Sequence, residues 1–287
     1  HAGQLHHLVG EAGDVAMSLA LAGSHGSYWL YTGRSPETGE WLQKALSLQR
    51  ADQPTVERVK ALHSLGSVAY LLCYYEDANT FFTHCVATAR KIGDRLELAL
   101  VLAEFGRLAW DMGDYRAGQA YLEESLALFE GLGQERWATF ARHGLGLIAM
   151  GLGDIGNAVA LLERSIREYR RAGGQLIGLA YALLSLGRTL IVKGDHAAAH
   201  GYLSEALTIC RTSENQRALY MTLHELGYVA VHAGAVPGAR ELHAEALSIA
   251  WELHDPGGLS SCLVGLAGVA AAEGNMRREA CILGAVQ

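Results

Sequence analysis

The stretch LGSVAYLLCYYEDANTFFTHCV, residues 65–86, has a counterpart forty residues later in FGRLAWDMGDYRAGQAYLEESL, residues 105–126. Few residues are identical, but a glycine, an alanine, a tyrosine, a second small residue and an apolar pair fall at the same offsets. A fixed period of this length is the mark of a repeat architecture, and it decides the fold ahead of any local assignment.

The period runs through nearly the whole chain. A first glycine column, with members 40 or 41 residues apart, holds Gly26, Gly66, Gly106, Gly146, Gly187 and Gly227. A second glycine column follows seven residues later, with Cys73 as its exception, and holds Gly33, Gly113, Gly153, Gly194, Gly234 and Gly274. A later column is large and apolar except for a deviant His243, and holds Leu42, Phe82, Leu122, Leu162, Leu203 and Leu283.

Each repeat reads as two amphipathic helices. Between the glycine columns, apolar residues recur at spacings of three and four, which is the helical period. The first glycine column falls inside a helix, where Gly costs roughly 1 kcal/mol relative to Ala, so we expect a close contact between paired helices there. The second column falls at the turn, where Gly ends one helix and Asp114, Asp154 or Asp195 caps the next. These columns predict an all-α protein.

The columns resemble the tetratricopeptide repeat in its longer, forty-residue form, from about Ala16 to Gln287. This resemblance implies a right-handed superhelical solenoid of about six to seven helical hairpins, forming a single domain over residues 1–287. One departure is Arg142, which stands where other repeats have Leu. The hairpin units lie near 1–32 (partial), 33–72, 73–112, 113–152, 153–193, 194–233, 234–273 and 274–287 (partial cap).

The two ends of the chain resemble a narrower group of tetratricopeptide-repeat proteins. The opening LALAGSHGSYWLYTGRSPETGEWLQKALS, residues 19–47, is similar to the first repeat of sensor arrays in bacterial signal-transduction ATPases with numerous domains (STAND). The closing GNMRREACILGAVQ, residues 274–287, is similar to the capping repeat of such arrays in LuxR-type and antibiotic-pathway transcriptional activators. The resemblance implies a sensor, with ATPase and DNA-binding modules on other segments. The chain begins at His1 rather than Met, and we expect it to be an excised piece.

Composition argues against several functions. The net charge is −7 and the pI about 6.0, which disfavours direct nucleic-acid binding. The five cysteines form no C-x-x-C pair, which indicates reduced thiols and a cytoplasmic protein. No run of eighteen apolar residues and no signal pattern occurs, so we expect no membrane association.

The sequence offers no catalytic or cofactor motif. It lacks a P-loop and a nucleophile elbow, so we expect neither an enzyme nor a bound cofactor. His196 and His200 share a helix face at a spacing that can suit a metal, although solvated polar residues have the same spacing. His63, His143 and His224 stand in alternate repeats, too far apart for one metal site. We therefore expect no metal.

The first helix of each hairpin is expected to line a concave groove. Side chains on that face combine aromatic rings with Arg, His and Asp, which suits a protein or peptide segment or a small polar inducer. The candidate groove residues are His63, Tyr70, Arg107, Trp110, Asp111, His143, Tyr181, Arg188, His224 and Tyr228. Two other interpretations remain open at this point, namely a plain interaction scaffold without a sensing role and chemistry hidden in the groove.

Overall fold

A computed structural model describes residues 54–71, 73–213 and 215–284. Within these ranges the chain is all helix with no strand, as the repeat columns predict. The opening motif at 19–47 and the first repeat lie outside the described residues, as do residues 285–287 of the closing motif. The helices are α1 (Val56–Leu71), α2 (Tyr75–Ile92), α3 (Arg95–Asp111), α4 (Tyr115–Gly131), α5 (Glu135–Gly151), α6 (Ile155–Ala172), α7 (Leu176–Lys193), α8 (His196–Thr212), α9 (Gln216–His232), α10 (Val236–Glu252), α11 (Pro256–Ala272) and α12 (Met276–Gly284).

The helices fall into two units, the first ending at Gly151 and the second beginning at Leu152. In unit 1, α1 pairs with α2 and α3 with α4, and α5 packs on α4. In unit 2, α6 packs on α7, and α7 with α8, α9 with α10 and α11 with α12 form hairpins. We use the term A helix for the helices that carry the first glycine column, which Ala267 continues on α11. The A helices are α1, α3 and α5 in unit 1 and α7, α9 and α11 in unit 2, and neighbouring A helices pack side by side within each unit.

The mid-helix glycines are the points where paired helices touch. A Cβ built on Gly187 of α7 would lie 2.5 Å from Cγ of Leu203 on α8, and one on Gly106 of α3 would lie 2.4 Å from Cγ of Leu122 on α4. Both leucines are almost wholly buried. In these described hairpins a glycine of the first column therefore contacts a member of the large apolar column. The close approach of paired helices agrees with the sequence prediction.

The turns follow the second glycine column. Its glycines from Gly113 onward take the left-handed conformation, for example Gly113 itself with φ +77°, which glycine adopts without strain. Cys73 holds the same place with φ +61° despite its side chain. Asp114 then caps α4 by accepting a hydrogen bond from the Ala117 backbone N–H at 3.1 Å, and Asp154 caps α6 and Asp195 caps α8 in the same way.

Two polar residues occupy core columns. Arg142 of α5 is buried, and its Nη2 donates to Glu130 Oε1 at 2.8 Å, so its charge has a partner. His243 of α10 is fully buried in the column that Phe82, Leu122 and Leu203 fill elsewhere.

One described helix, α7, is long and apolar enough to cross a membrane on length and composition alone. More than half of this helix, 56%, is buried inside the protein. Its apolar composition is therefore that of a core helix.

The helix contact predicts opposite effects of the same substitution at two glycines of one hairpin. Gly187→Ala should lower the free energy of unfolding by about 1–3 kcal/mol, because the new methyl group overlaps Leu203. Gly201→Ala, inside α8 and with open space around its Cβ, should raise it by about 0.5–1 kcal/mol. Chemical denaturation of both variants measures the difference, and equal effects would contradict the contact.

Candidate functional site

The A helices of unit 1 carry most of the predicted groove residues. His63 and Tyr70 lie on α1, Arg107, Trp110 and Asp111 on α3, and His143 on α5. We call these side chains, together with Ser67, Glu104 and Phe140, the unit 1 face. It combines buried charges with aromatic rings.

His63 lies between two carboxylates from α3. Its Nδ1 is 2.6 Å from Glu97 Oε1, and its Nε2 is 3.6 Å from Glu104 Oε1. Burial opposes the charged imidazolium, but the two carboxylates outweigh burial and raise the pKa of His63 to about 10. Burial opposes ionisation of Glu104 too, yet His63 and Ser67 lower the pKa of Glu104 to about 2. His63 therefore ties α1 to α3 as a cation.

A second polar contact joins the same helices and recurs in unit 2. Ser67 Oγ donates to Glu104 Oε2 at 2.5 Å. Arg188 Nε donates to Glu225 Oε1 at 2.8 Å, between α7 and α9. In both pairs the donor directly follows a glycine of the first column. The acceptor lies 37 positions later, two residues before the next glycine of that column. The register thus pairs a donor on one A helix with a carboxylate on the following A helix.

Arg107 has the same register position as Ser67 and Arg188, but the paired position holds Gly144. The methyl groups of Leu122 lie 3.0 Å from where a Cβ of Gly144 would stand, so the core occupies that space. Arg107 Nη2 instead donates to the Tyr70 hydroxyl at 3.3 Å. Among the described residues no carboxylate comes within 4.0 Å of its guanidinium nitrogens.

The guanidinium of Arg107 lies between two aromatic rings. Its Cζ is 5.1 Å from the ring centroid of Tyr70 and 5.8 Å from that of Phe140, both cation–π distances. Its Nε and Nη1 make no hydrogen bond within the described ranges, and neither is among the fully buried atoms, so this half-buried guanidinium keeps two donors for a further partner. Burial disfavours the charge of Arg107, but Tyr70 and Glu104 outweigh it and raise the pKa of the guanidinium.

The remaining unit 1 candidates have supporting contacts. Asp111 Oδ2 accepts from the Tyr70 hydroxyl at 2.6 Å, which orients the ring beside Arg107. Trp110 is half-buried, 5.1 Å from the ring of Tyr115, and packs against the core of unit 1. His143 is buried, and burial followed by the charge of Arg107 lowers the pKa of its imidazole to about 4. It stands beside Arg107 as a neutral group.

The other four candidates lie in unit 2, Tyr181 and Arg188 on α7 and His224 and Tyr228 on α9. Arg188 is held by Glu225. Tyr228 is 43% exposed, and its ring centroid is 4.7 Å from that of His232. His224 is half-buried, its ring is 5.1 Å from that of His243, and burial lowers the pKa of His224.

His196 and His200 do not form a metal centre with other residues in the part of the chain that the structure describes. No group of three or more His, Cys, Asp or Glu there could hold a metal ion. The ring of His196 stacks instead on that of His232, with centroids 4.4 Å apart.

Glu97, Glu104 and Glu225 were missed as site residues by the sequence argument. Glu104 and Glu225 share the position two residues before the column glycine, and that repetition was the available signal. Nothing in the pattern distinguished Glu97, which approaches His63 from the start of α3.

Because two carboxylates surround His63, we expect its imidazole to stay protonated well above neutral pH. Because the folded pKa of His63 is raised to about 10 from 6.5, its contribution to stability is complete below pH 6.5 and is lost as the pH rises towards 10. An NMR titration of its Cε1–H resonance should show no change between pH 6 and 8. The urea-unfolded chain is the reference, and a midpoint near 6.5 in the folded protein would contradict the arrangement.

Comparison with known proteins agrees with this architecture. Residues 138–212 match the sequence model of the tetratricopeptide repeat. Protein KINESIN LIGHT CHAIN-RELATED 2 of Arabidopsis thaliana is 24% identical over 212 residues, which are 71% of this chain and 32% of that protein. The chain thus spans about a third of the length of that curated relative.

Solved structures share the fold at low identity. The structure of NprR in complex with its cognate peptide NprX matches with a TM-score of 0.74 and 15% identity, over 98% of this chain and 84% of that chain. A STAND protein with a tetratricopeptide repeat sensor from Pyrococcus horikoshii matches with a TM-score of 0.62 and 16% identity, over 86% of this chain and 38% of that chain. The fold is therefore all-α, built of tetratricopeptide-repeat hairpins.

Proposed function

We propose that this chain is the sensor domain of a bacterial STAND-type transcriptional regulator, and that it binds a peptide or protein segment on its A helices. A small polar inducer is the other ligand class that this surface suits. The observation that carries the proposal is Arg107, a half-buried cation between Tyr70 and Phe140 whose Nε and Nη1 donors have no hydrogen-bond partner among the described residues. We infer that a ligand supplies the acceptor that Gly144 does not.

The expected ligand group is a carboxylate beside an aromatic or large apolar residue. Charge-assisted hydrogen bonds from Arg to carboxylate are about twice as strong as neutral ones. The two acidic residues nearest along α3 are already engaged, Glu104 by His63 and Ser67, and Asp111 by Tyr70. The two rings flanking Arg107 offer apolar surface for the neighbouring residue of the ligand.

The comparisons support this proposal at the level of fold. NprR is described in complex with its cognate peptide, and the Pyrococcus protein as carrying a tetratricopeptide repeat sensor. In our proposal the ATPase and DNA-binding modules lie on other segments of a cytoplasmic protein. This chain would then bind neither nucleic acid nor membrane, and it has no catalytic role. Ligand binding would shift the array between two arrangements by its differential affinity for them.

A plain interaction scaffold without a sensing role is the alternative, and it would use the same face. The two differ in the full-length protein. A sensor changes the nucleotide turnover of its attached ATPase when ligand binds, whereas a scaffold leaves it unchanged.

The ligand can be found by selection from a phage-displayed library of random octapeptides, whose C-termini are fused to the coat. We expect Asp or Glu to be enriched beside an aromatic or large apolar residue. Calorimetry on the best binder should then give a Kd about thirtyfold weaker for Arg107→Gln, a loss of about 2 kcal/mol. Replacing the acidic residue of the peptide by the corresponding amide should weaken its binding to the wild-type protein by the same factor. The same replacement should change its binding to Arg107→Gln only slightly.

Matched controls are available in both units. Arg188→Gln removes a guanidinium that Glu225 already engages, so it should leave the affinity unchanged. Glu123→Ala on α4 changes an exposed residue and Glu163→Ala on α6 a partly exposed one, both outside the A helices, and both should also be neutral. Trp110 is a poorer probe than Arg107, because its truncation also removes core contacts. Enrichment without acidic residues, or equal losses from Arg107→Gln and Arg188→Gln, would overturn the assignment to Arg107.

A further inference from the structure

His243 is the feature of unit 2 that the proposed function does not use. Its side chain is completely buried, with 0% of its surface accessible to solvent. Neither ring nitrogen has a hydrogen-bond partner within the described residues. A second imidazole, that of His224, lies 5.1 Å away between ring centroids, and its Nδ1 is also buried without a partner. Three buried imidazole nitrogens thus lack partners at one point of the core.

The His243 ring fills a slot between two glycines. A Cβ on Gly227 of α9 would lie 2.7 Å from its Nε2, and one on Gly265 of α11 would lie 2.4 Å from its Cε1. Leu122 occupies the equivalent slot of unit 1, between Gly106 and Gly144, with methyl groups that need no partner. The two slots therefore differ in the side chain that fills them, a hydrocarbon in unit 1 and a titratable ring in unit 2.

No counter-ion faces the slot from the helices packed against α10. The sequence of α11 contains no charged residue, and its titratable group is Cys262, the pKa of whose thiol burial raises to about 11. From α9 the slot receives His224, while the next residue, Glu225, is engaged by Arg188 of α7. An imidazolium at position 243 would face a second imidazole instead of a carboxylate.

The charged groups at the margins do not reach the ring either. Asp255, which precedes α11, accepts from the Tyr220 hydroxyl at 2.7 Å and pairs with Arg217 at 3.3 Å. On α10 itself the charged residues are all exposed, namely Arg240, Glu241, Glu245 and Glu252. A proton on His243 would therefore be a buried charge without compensation, which costs several kcal/mol unless the structure opens.

We propose that the His224–His243 pair is an acid-sensitive element that loosens the packing of α10 between α9 and α11 as the pH falls below about 6.5. Burial, with a smaller contribution from His224, lowers the pKa of His243 to about 4 from its ordinary value of 6.5. Because the folded state favours the neutral ring, stability is complete above pH 6.5 and is lost progressively as the pH falls towards 4. The opening is local to these helices, since α7 and α8 meet through Leu203, which has no proton to gain.

Hydrogen–deuterium exchange of the chain at pH 7.5 and 5.0, corrected for the intrinsic pH dependence of exchange, tests this directly. By linkage, the opening constant of α9–α11 should rise about thirtyfold between the two pH values, while that of α7–α8 stays within a factor of a few. His243→Leu, which installs the side chain found at Leu122 and Leu203, should remove most of the rise. His200→Gln, a change of an exposed histidine on α8, should leave it intact.

The reciprocal substitution provides an independent arm. Leu122→His places an imidazole in the glycine-flanked slot of unit 1 and should confer an acid-dependent rise in exchange on α3–α5. The proposal is overturned if wild-type α9–α11 show no greater acid response than α7–α8, or if His243→Leu retains the full response. Peptide binding at Arg107 is not involved in either measurement.

Discussion

The contact between a glycine on one helix and a large side chain on its partner is the constraint on which this structure depends. Leucine or phenylalanine occupies the space where a glycine Cβ would stand, so the paired backbones approach closely and the hairpin is fixed in register. Among the described residues four glycines of the first column, Gly66, Gly106, Gly187 and Gly227, make this contact. Each costs helix propensity, which the sequence tolerates because the contact buries a whole side chain. Where the partner is His243, the same geometry creates a buried titratable group.

Fixed register has a second consequence, on the faces that bear the candidate site. Because neighbouring A helices keep one offset within each unit, a donor after one column glycine meets the residue two before the next. Ser67 and Arg188 find glutamates there, and Arg107 finds Gly144. That Arg107 lacks a carboxylate partner therefore follows from the packing that forms the core, since Leu122 fills the space that a side chain at position 144 would need.

Much of the fold could be predicted from the sequence, because it depends on short-range periodicity. Glycine spacing gave the helix pairs, and the aspartates after the turns gave the caps that the structure contains. The division into two units could not be read from columns that continue evenly through residue 151. The ionic partners were equally hidden, because whether His63 meets Glu97 and Glu104 depends on side-chain approach across helices. A binding role stays a prediction for all ten groove candidates. His63 and Arg188 are already held by carboxylates, which is why the proposed site centres on Arg107 and uses Arg188 as its control.

The most direct test of the binding account observes Arg107 itself. In a ¹H–¹⁵N spectrum of the protein, the Nε–Hε resonance of Arg107, assigned by its absence in Arg107→Gln, should shift downfield and exchange more slowly with water when the selected acidic peptide is added. The corresponding resonance of Arg188 should stay in place, since Glu225 already engages it. The account is contradicted if the protein is saturated with peptide and the Arg107 resonance does not shift, or if the Arg188 resonance shifts instead.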